Sequence, residues 1–231
     1  MKDFMEVSPL KILERSSRKE LGKGNLGVLM ARAGEGKTAC LIHIAFDKLF
    51  RKEKLVHVSL EDSPGKITSY YRVIFSDFVK ALEMDNENEI RMILDKNRMI
   101  LAYLNQSFQI IRLRENLKHL AEKIEFMPET LIVDGLDFAE TGREVFEAFK
   151  GLAAQFQVEI WFSALNHRHI TDINEKGIPY PCNHLDNFFD IIIQLQTSPS
   201  GIFLRLLKDH KSQVTPESSV RLDPNTFLAV A

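Results

Sequence analysis

The stretch that most constrains this chain is residues 27–50. An apolar run, Gly27-Val28-Leu29-Met30-Ala31, leads through Arg32-Ala33-Gly34-Glu35-Gly36-Lys37-Thr38 into a helix-like segment, Ala39 to Phe50. Ala31-x4-Gly36-Lys37-Thr38 matches the phosphate-binding pattern A/G-x4-G-K-S/T, and a strand before it and a helix after it are the context that pattern requires. Gly34 and Gly36 let the backbone wrap so that successive N–H groups face phosphate oxygens, and the helix adds its positive end. Lys37 then reaches the β and γ phosphates while the Thr38 hydroxyl ligates Mg²⁺. The expected ligands are ATP and Mg²⁺, held by Ala33, Gly34, Glu35, Gly36, Lys37, Thr38 and Ala39. The competing reading, a glycine turn with a solvated lysine, has to ignore both flanking elements.

Around this segment the pattern alternates. Leu55 to Leu60 reads as a second strand, Pro64 opens a helix to about Met84, and Asn86 to Asn97 continues as a charged helix. Met99 to Leu104 is a strand, and Ile110, Leu113, Leu117, Leu120 and Ile124 mark one helical face. Thr130 to Asp134 is a buried strand, Arg143 to Gln155 a helix and Val158 to Ser163 another strand. Strands alternating with helices predict an α/β fold, a mostly parallel sheet with helices on both faces. Phe189 to Leu195, Ile202 to Leu207 and Thr226 to Val230 are expected to close the sheet as a C-terminal antiparallel extension, with Ser198 to Gly201 as a hairpin connection. The expected organisation is residues 1–26 as a helix near 9–20 and a loop leading into the core, and 27–231 as one P-loop domain.

With 231 residues the chain is long enough to bury one core without disulfide staples. Thirty Lys+Arg against 32 Asp+Glu leave a formal charge of −2, which excludes a generally polybasic chain and confines any nucleic-acid contact to a local patch. Cys40 and Cys182 are far apart and the N-terminus carries charge where a secretory segment would be apolar, so a reduced, cytoplasmic protein is expected. No stretch approaches the ~20 apolar residues of a membrane span, so no membrane partner is expected.

Mg²⁺ needs an acid at the end of a neighbouring strand, and Asp134, emerging from Leu131-Ile132-Val133, supplies it. Asp137 lies beyond Gly135 and reads as a cap for the helix near 140. Water activation needs a group near the γ phosphate; Glu61, ending the strand Val56 to Leu60, is the choice, with Asp62 as a helix cap before Pro64.

These residues resemble the RecA-like ATPase core, and more closely the branch of the replicative DnaB helicase and KaiC than recombinase RecA. Gly27 to Thr38 is similar to the "ARP-x-x-GKT" loop, Ser59-Leu60-Glu61 to the "SLE" strand end that carries the catalytic glutamate, and Leu131 to Asp134 to the Walker B strand. Ser163-Ala164-Leu165-Asn166 resembles "SQLN", and Leu207-Lys208-Asp209-His210 the late strand with a Lys-x-Arg pair. The resemblance covers roughly residues 20–215 and implies an ATP-hydrolysing, DNA-coupled homo-oligomeric assembly, with a hexamer as one form. It also implies that Lys208 acts in trans on the ATP of a neighbouring copy.

The departures are specific. Where the family has its phosphate-sensing glutamine this chain has Ala164, for which Ser163 or Asn166 could partly substitute; where it has arginine this chain has His210, with Lys211 beside it. Lys208, His210 and Lys211 have no obvious partner in cis. The loop 166–184 sets Arg168 and Lys176 against Asp172 and Glu175, so weak or absent nucleic-acid binding is expected. His167-x-His169 and Cys182-x-His184 offer four zinc-type ligands, though one-residue spacing is unusual for a structural site. The reading reached is an ATP-driven oligomeric or conformational switch, with an interaction module of little turnover and a DNA-dependent motor as alternatives. The protein partner is not specified by sequence.

Overall fold

In a computed structural model the described residues are 4–15, 18, 20–104, 107–166, 170–212, 214 and 218–230. The strands are β1 (Leu26–Ala31), β2 (Leu55–Ser59), β3 (Arg98–Ala102), β4 (Thr130–Asp134), β5 (Glu159–Leu165), β6 (Ile191–Ser198), β7 (Gly201–Asp209) and β8 (Ser219–Leu222). They form one eight-stranded sheet in the order β3-β2-β4-β5-β1-β6-β7-β8. β1 to β6 run parallel, and β7 pairs antiparallel with both β6 and β8. The fold is therefore α/β with a mostly parallel sheet and a C-terminal antiparallel extension.

The central strands β1, β2, β4 and β5 are buried on both faces, as parallel strands must be when crossover helices cover them. Along β1, Leu29 and Ala31 join the core under α2 (Lys37–Phe50), α3 (Pro64–Leu82) and α4 (Glu87–Lys96), while Leu26, Val28 and Met30 join the core under α5 (Ile110–Ile124) and α6 (Arg143–Phe156). This alternation decides which strand-end side chains share a face. On the α2 side the fully buried Trp161 lies against Gly27, where an added Cβ would stand 2.7 Å from its ring. The other layer is aromatic: Phe149 and Phe162 meet edge to face at 4.9 Å, and Phe138 and Phe189 stack at 5.7 Å. Truncating one of these buried rings costs about 3–5 kcal/mol.

Two details differ from the sequence reading. The N-terminal segment is a short α1 (Phe4–Val7) and a 3-10 turn (Pro9–Arg15) rather than one helix over 9–20, and Phe4 packs on Phe50 and Phe78. Ile12, Leu13 and Leu21 belong to the same core cluster as α2, so this segment is packed into the body of the fold. The last strand is β8, not Thr226–Val230; the Asp223 side chain turns that region back, leaving one bridge from Ala229 to Leu222. Among the described residues no helix is long and apolar enough to cross a membrane.

Candidate functional site

The parallel arrangement brings the carboxyl ends of β1, β2, β4 and β5 to one edge. Ser59 is in register with Asp134, and Ala31 with Leu165. From β1 the chain bends through Gly34 and Gly36, at φ of +76° and +90°, a region that favours glycine. The Arg32 amide donates to Glu35 Oε2 at 3.0 Å, closing the loop on itself. Gly36 precedes α2, and its carbonyl accepts from the Cys40 amide at 2.9 Å. No side chain caps this helix start, so the first-turn N–H groups of Lys37, Thr38 and Ala39 have no partner within the helix.

Thr38 and Asp134 meet directly: Thr38 Oγ1 donates to Asp134 Oδ2 at 2.9 Å. A hydroxyl and a carboxylate are the hard oxygen donors that suit Mg²⁺, so these two residues fit the ion expected of the loop. Asp134 is 6% exposed, and its other oxygen accepts from Ser163 Oγ. The same Ser163 oxygen accepts from Lys37 Nζ at 3.4 Å and from the Gly135 amide at 3.2 Å, and Lys37 Nζ stands 4.0 Å from Asp134 Oδ1. Lysine, threonine, aspartate and serine from three segments thus converge on one point.

Glu61 follows β2 on the same edge and is exposed. Its side chain lies over Gly135, at φ +87°, where an added Cβ would be 2.7 Å from Glu61 Cγ. Glu61, Lys37, Leu165 and Pro181, with residues 135–139, line a cavity of about 140 Å³. Asp62 pairs with Lys66 at 2.6 Å, and the cap of α3 is Ser63 instead, which accepts from the Lys66 amide. Asp137 accepts from the amides of Ala139 and Glu140, so it closes a turn rather than capping α6, whose N-cap is Gly142. Pro64 at the first helical position makes Ser63, one residue after Asp62, the cap of α3, and α6 begins after Gly142, five residues beyond Asp137.

Beneath the site, the fully buried His57 shares a hydrogen bond between its Nδ1 and the Tyr71 hydroxyl at 3.1 Å, and its Nε2 is buried with no partner. Burial drives its pKa down to about 4, against the pull of the Asp134 charge.

The remaining sequence candidates fall elsewhere. Ala164 is fully buried in the α5 and α6 layer, facing away from Lys37, while Ser163 faces Lys37. The expectation that Lys208 and His210 have no partner in cis is corrected. Lys208 Nζ donates to the Asp186 carbonyl, and His210 contacts Asp209 and the Leu21 carbonyl. Burial and the neighbouring Lys176 and Lys150 charges lower the Lys208 pKa, with Asp186 opposing them. Lys208 is in register with Ile192 and hence with Val28, three residues back from Ala31, roughly 10 Å from the loop edge of the sheet. The structure does not bring it to residues 31–38 of its own chain.

In the 166–184 loop Lys176 is paired with Asp186 at 2.7 Å and His184 with Asp172 at 3.4 Å. Cys182 is buried, which pushes its thiol pKa up, and His184 is largely exposed. His167, Arg168 and His169 lie outside the described residues. No group of His, Cys, Asp and Glu that could hold a metal is found among the described residues.

The sequence offers Ser163 only as a partial substitute for the missing glutamine and gives Phe227 no role at all. Ser163 left a signal, a polar residue in an otherwise apolar strand; Phe227, discussed below, left none. Compared with protein-family models and with curated proteins, the chain matches none.

Proposed function

We propose that this chain is a Mg²⁺-dependent ATPase of the RecA-like kind. The observation that carries the reading is the convergence of Lys37, Thr38, Asp134 and Ser163 beside a helix start with open N–H groups. Further support comes from strand order: the four stretches 27–38, 59–61, 131–134 and 163–166 that resemble that core lie at one edge of four strands, β2, β4, β5 and β1, adjacent in the sheet.

In this reading the loop amides and Lys37 bind the triphosphate, Lys37 moving from Ser163 to the phosphate oxygens. Thr38 and Asp134 would hold Mg²⁺, which supplies charge neutralisation at the phosphates. Glu61, across the cavity from Lys37, orients a water and accepts its proton. Ser163 keeps the Asp134 carboxylate fixed throughout. Cytoplasmic location and weak nucleic-acid binding belong to the same proposal, the latter supported by the pairing of Lys176 with Asp186. A second reading, nucleotide binding with little turnover, is favoured by the inward packing of Ala164, which leaves no amide to sense the γ phosphate.

The test is Mg²⁺-dependent phosphate release, with and without single-stranded DNA, in the unaltered chain and in Lys37→Ala. Nucleotide binding and turnover that depend on Lys37 support the proposal. A folded Lys37→Ala chain with unchanged affinity overturns it, and binding without turnover selects the second reading.

A further inference from the structure

The C-terminal turn is built with unusual care for a segment that ends the sheet. Asp223 Oδ1 accepts from the Asn225 amide at 3.0 Å and from the Thr226 amide at 2.8 Å, and the Asp223 carbonyl accepts from the Phe227 amide at 2.8 Å. The Asp223 amide in turn donates to the Leu228 carbonyl. Leu228 is buried, and Ala229 is tied to the N-terminal segment through the Val7 carbonyl. This framework holds Phe227 at φ +56°, a left-handed conformation that an aromatic residue rarely adopts. An outlier sustained by so many contacts points to a role for the side chain it aims.

The ring is aimed at the phosphate loop. An added Cβ on Gly36 would stand 2.8 Å from Phe227 Cε1 and closer still to Cζ, so the tip of the ring fills the space beside the glycine that begins α2. His43, two turns along α2 from Gly36, lies near the same ring at 6.2 Å between centroids. Glycine is the residue with the most backbone freedom to lose, and the loop residues before it, Arg32 to Gly34, are exposed. The amides that must face a phosphate are those directly after Gly36. A ring packed on that glycine narrows its conformations before any ligand arrives, which reduces the ordering that binding has to impose.

We propose that Phe227 is a positioning residue for the phosphate loop, and that the turn Asp223–Leu228 is thereby part of the nucleotide site. The inference rests on the reading of residues 31–38 as a phosphate loop and adds the element that pre-shapes it. It acts on the phosphate end of the ligand, through Gly36, and not on the base.

The experiment measures dissociation constants for Mg²⁺-ATP and for Mg²⁺-tripolyphosphate, together with KM and kcat, in Phe227→Ala, Phe227→Leu and Phe227→Tyr. The expected result is a loss of about tenfold for both ligands in Phe227→Ala, with kcat unchanged. Phe227→Leu keeps most of the contact and most of the affinity. Phe227→Tyr puts an oxygen at the ring tip, into the Gly36 contact, and binds both ligands as poorly as Phe227→Ala. A loss for ATP alone, with Phe227→Tyr normal, would make the ring a base platform and overturn the proposal. Lower melting temperature with both affinities intact would make it structural only and overturn it as well. Failure of the unaltered chain to bind either ligand would overturn the phosphate-loop reading, a result distinct from intact binding in Phe227→Ala, which defeats this inference alone.

Discussion

Ser163 on β5 donates its hydroxyl hydrogen to Asp134 on β4 and, through the same oxygen, accepts from Lys37 on α2 and from the Gly135 amide. One buried hydroxyl therefore sets the distance between the loop cation and the carboxylate expected to hold Mg²⁺. Its alanine variant leaves Asp134 Oδ1 without that donor in a site where an unmade hydrogen bond costs about 1–3 kcal/mol. Ser163→Ala should raise the Mg²⁺ concentration for half-maximal phosphate release about tenfold or more, while affinity for nucleotide without Mg²⁺ falls much less. A Mg²⁺ titration that superimposes on that of the unaltered chain would remove Ser163 from the site.

Glu61 and Asp62 are adjacent in sequence but differ in company. Glu61 lines the cavity with Lys37, whereas Asp62 is paired with the exposed Lys66. Glu61→Gln should keep ATP affinity within a few-fold and slow single-turnover hydrolysis by ~10²-fold or more, the scale of losing a positioned base. Asp62→Asn should change turnover by less than twofold and stability by at most about 1 kcal/mol, as for exposed ion pairs. The reverse ranking would move the role to Asp62.

Gly135 links the two strand ends. It sits at φ +87°, and a Cβ there would meet the Glu61 side chain at 2.7 Å. Gly135→Ala should therefore act twice, destabilising the fold by about 1–2 kcal/mol through backbone strain and displacing Glu61 from the cavity. Chemical denaturation and turnover measured on the same preparation separate the effects: hydrolysis should fall further than the folded fraction does. Turnover that tracks the folded fraction would mean Glu61 tolerates the displacement.

Much of the architecture was legible because local signals agreed. The apolar strands ending at Ala31, Ser59, Asp134 and Leu165 are buried on both faces, and such runs between helices dictate a parallel sheet. Lys37, Thr38 and Asp134 were legible because spacing and strand ends determine where they emerge. Ser163 was harder to place, since whether it or Ala164 faces Lys37 depends on the pleat, and one residue of register swaps the faces. Phe227 could not be found at all: its partner Gly36 is 191 positions away and offers no side chain, so only the folded path of the C-terminus brings them together. The late cations misled because the partner of Lys208, the Asp186 carbonyl, and one of the two partners of His210, the Leu21 carbonyl, are backbone groups that every sequence possesses.

The last prediction concerns acid stability. His43 is fully buried among Phe78 and Phe227, with Nδ1 unpartnered, and burial lowers its pKa to about 3. His57, packed between Tyr71 and the charges of Arg98 and Asp134, is lowered to about 4, chiefly by burial. Both titrate near 6.5 in the unfolded chain. Above that pH neither state binds the proton, and the stability is fully present. As pH falls from 6.5 toward 4 the unfolded chain takes up protons that the folded chain refuses, and each histidine removes about 1.4 kcal/mol per pH unit. Between pH 7.5 and 5.0 the pair should therefore cost about 4 kcal/mol, a large share of an ordinary domain's 5–15 kcal/mol. His43→Phe removes one of the two titrations, and the buried Nδ1 it deletes has no hydrogen-bond partner among the described residues. Its urea-derived stability at pH 7.5 should stay within about 1.5 kcal/mol of the unaltered chain, and its drop to pH 5.0 should be smaller by about 2 kcal/mol. Equal drops in the two proteins would show that His43 takes up its proton in the folded state at ordinary pH, and that its burial is not what the packing of Phe78 and Phe227 implies.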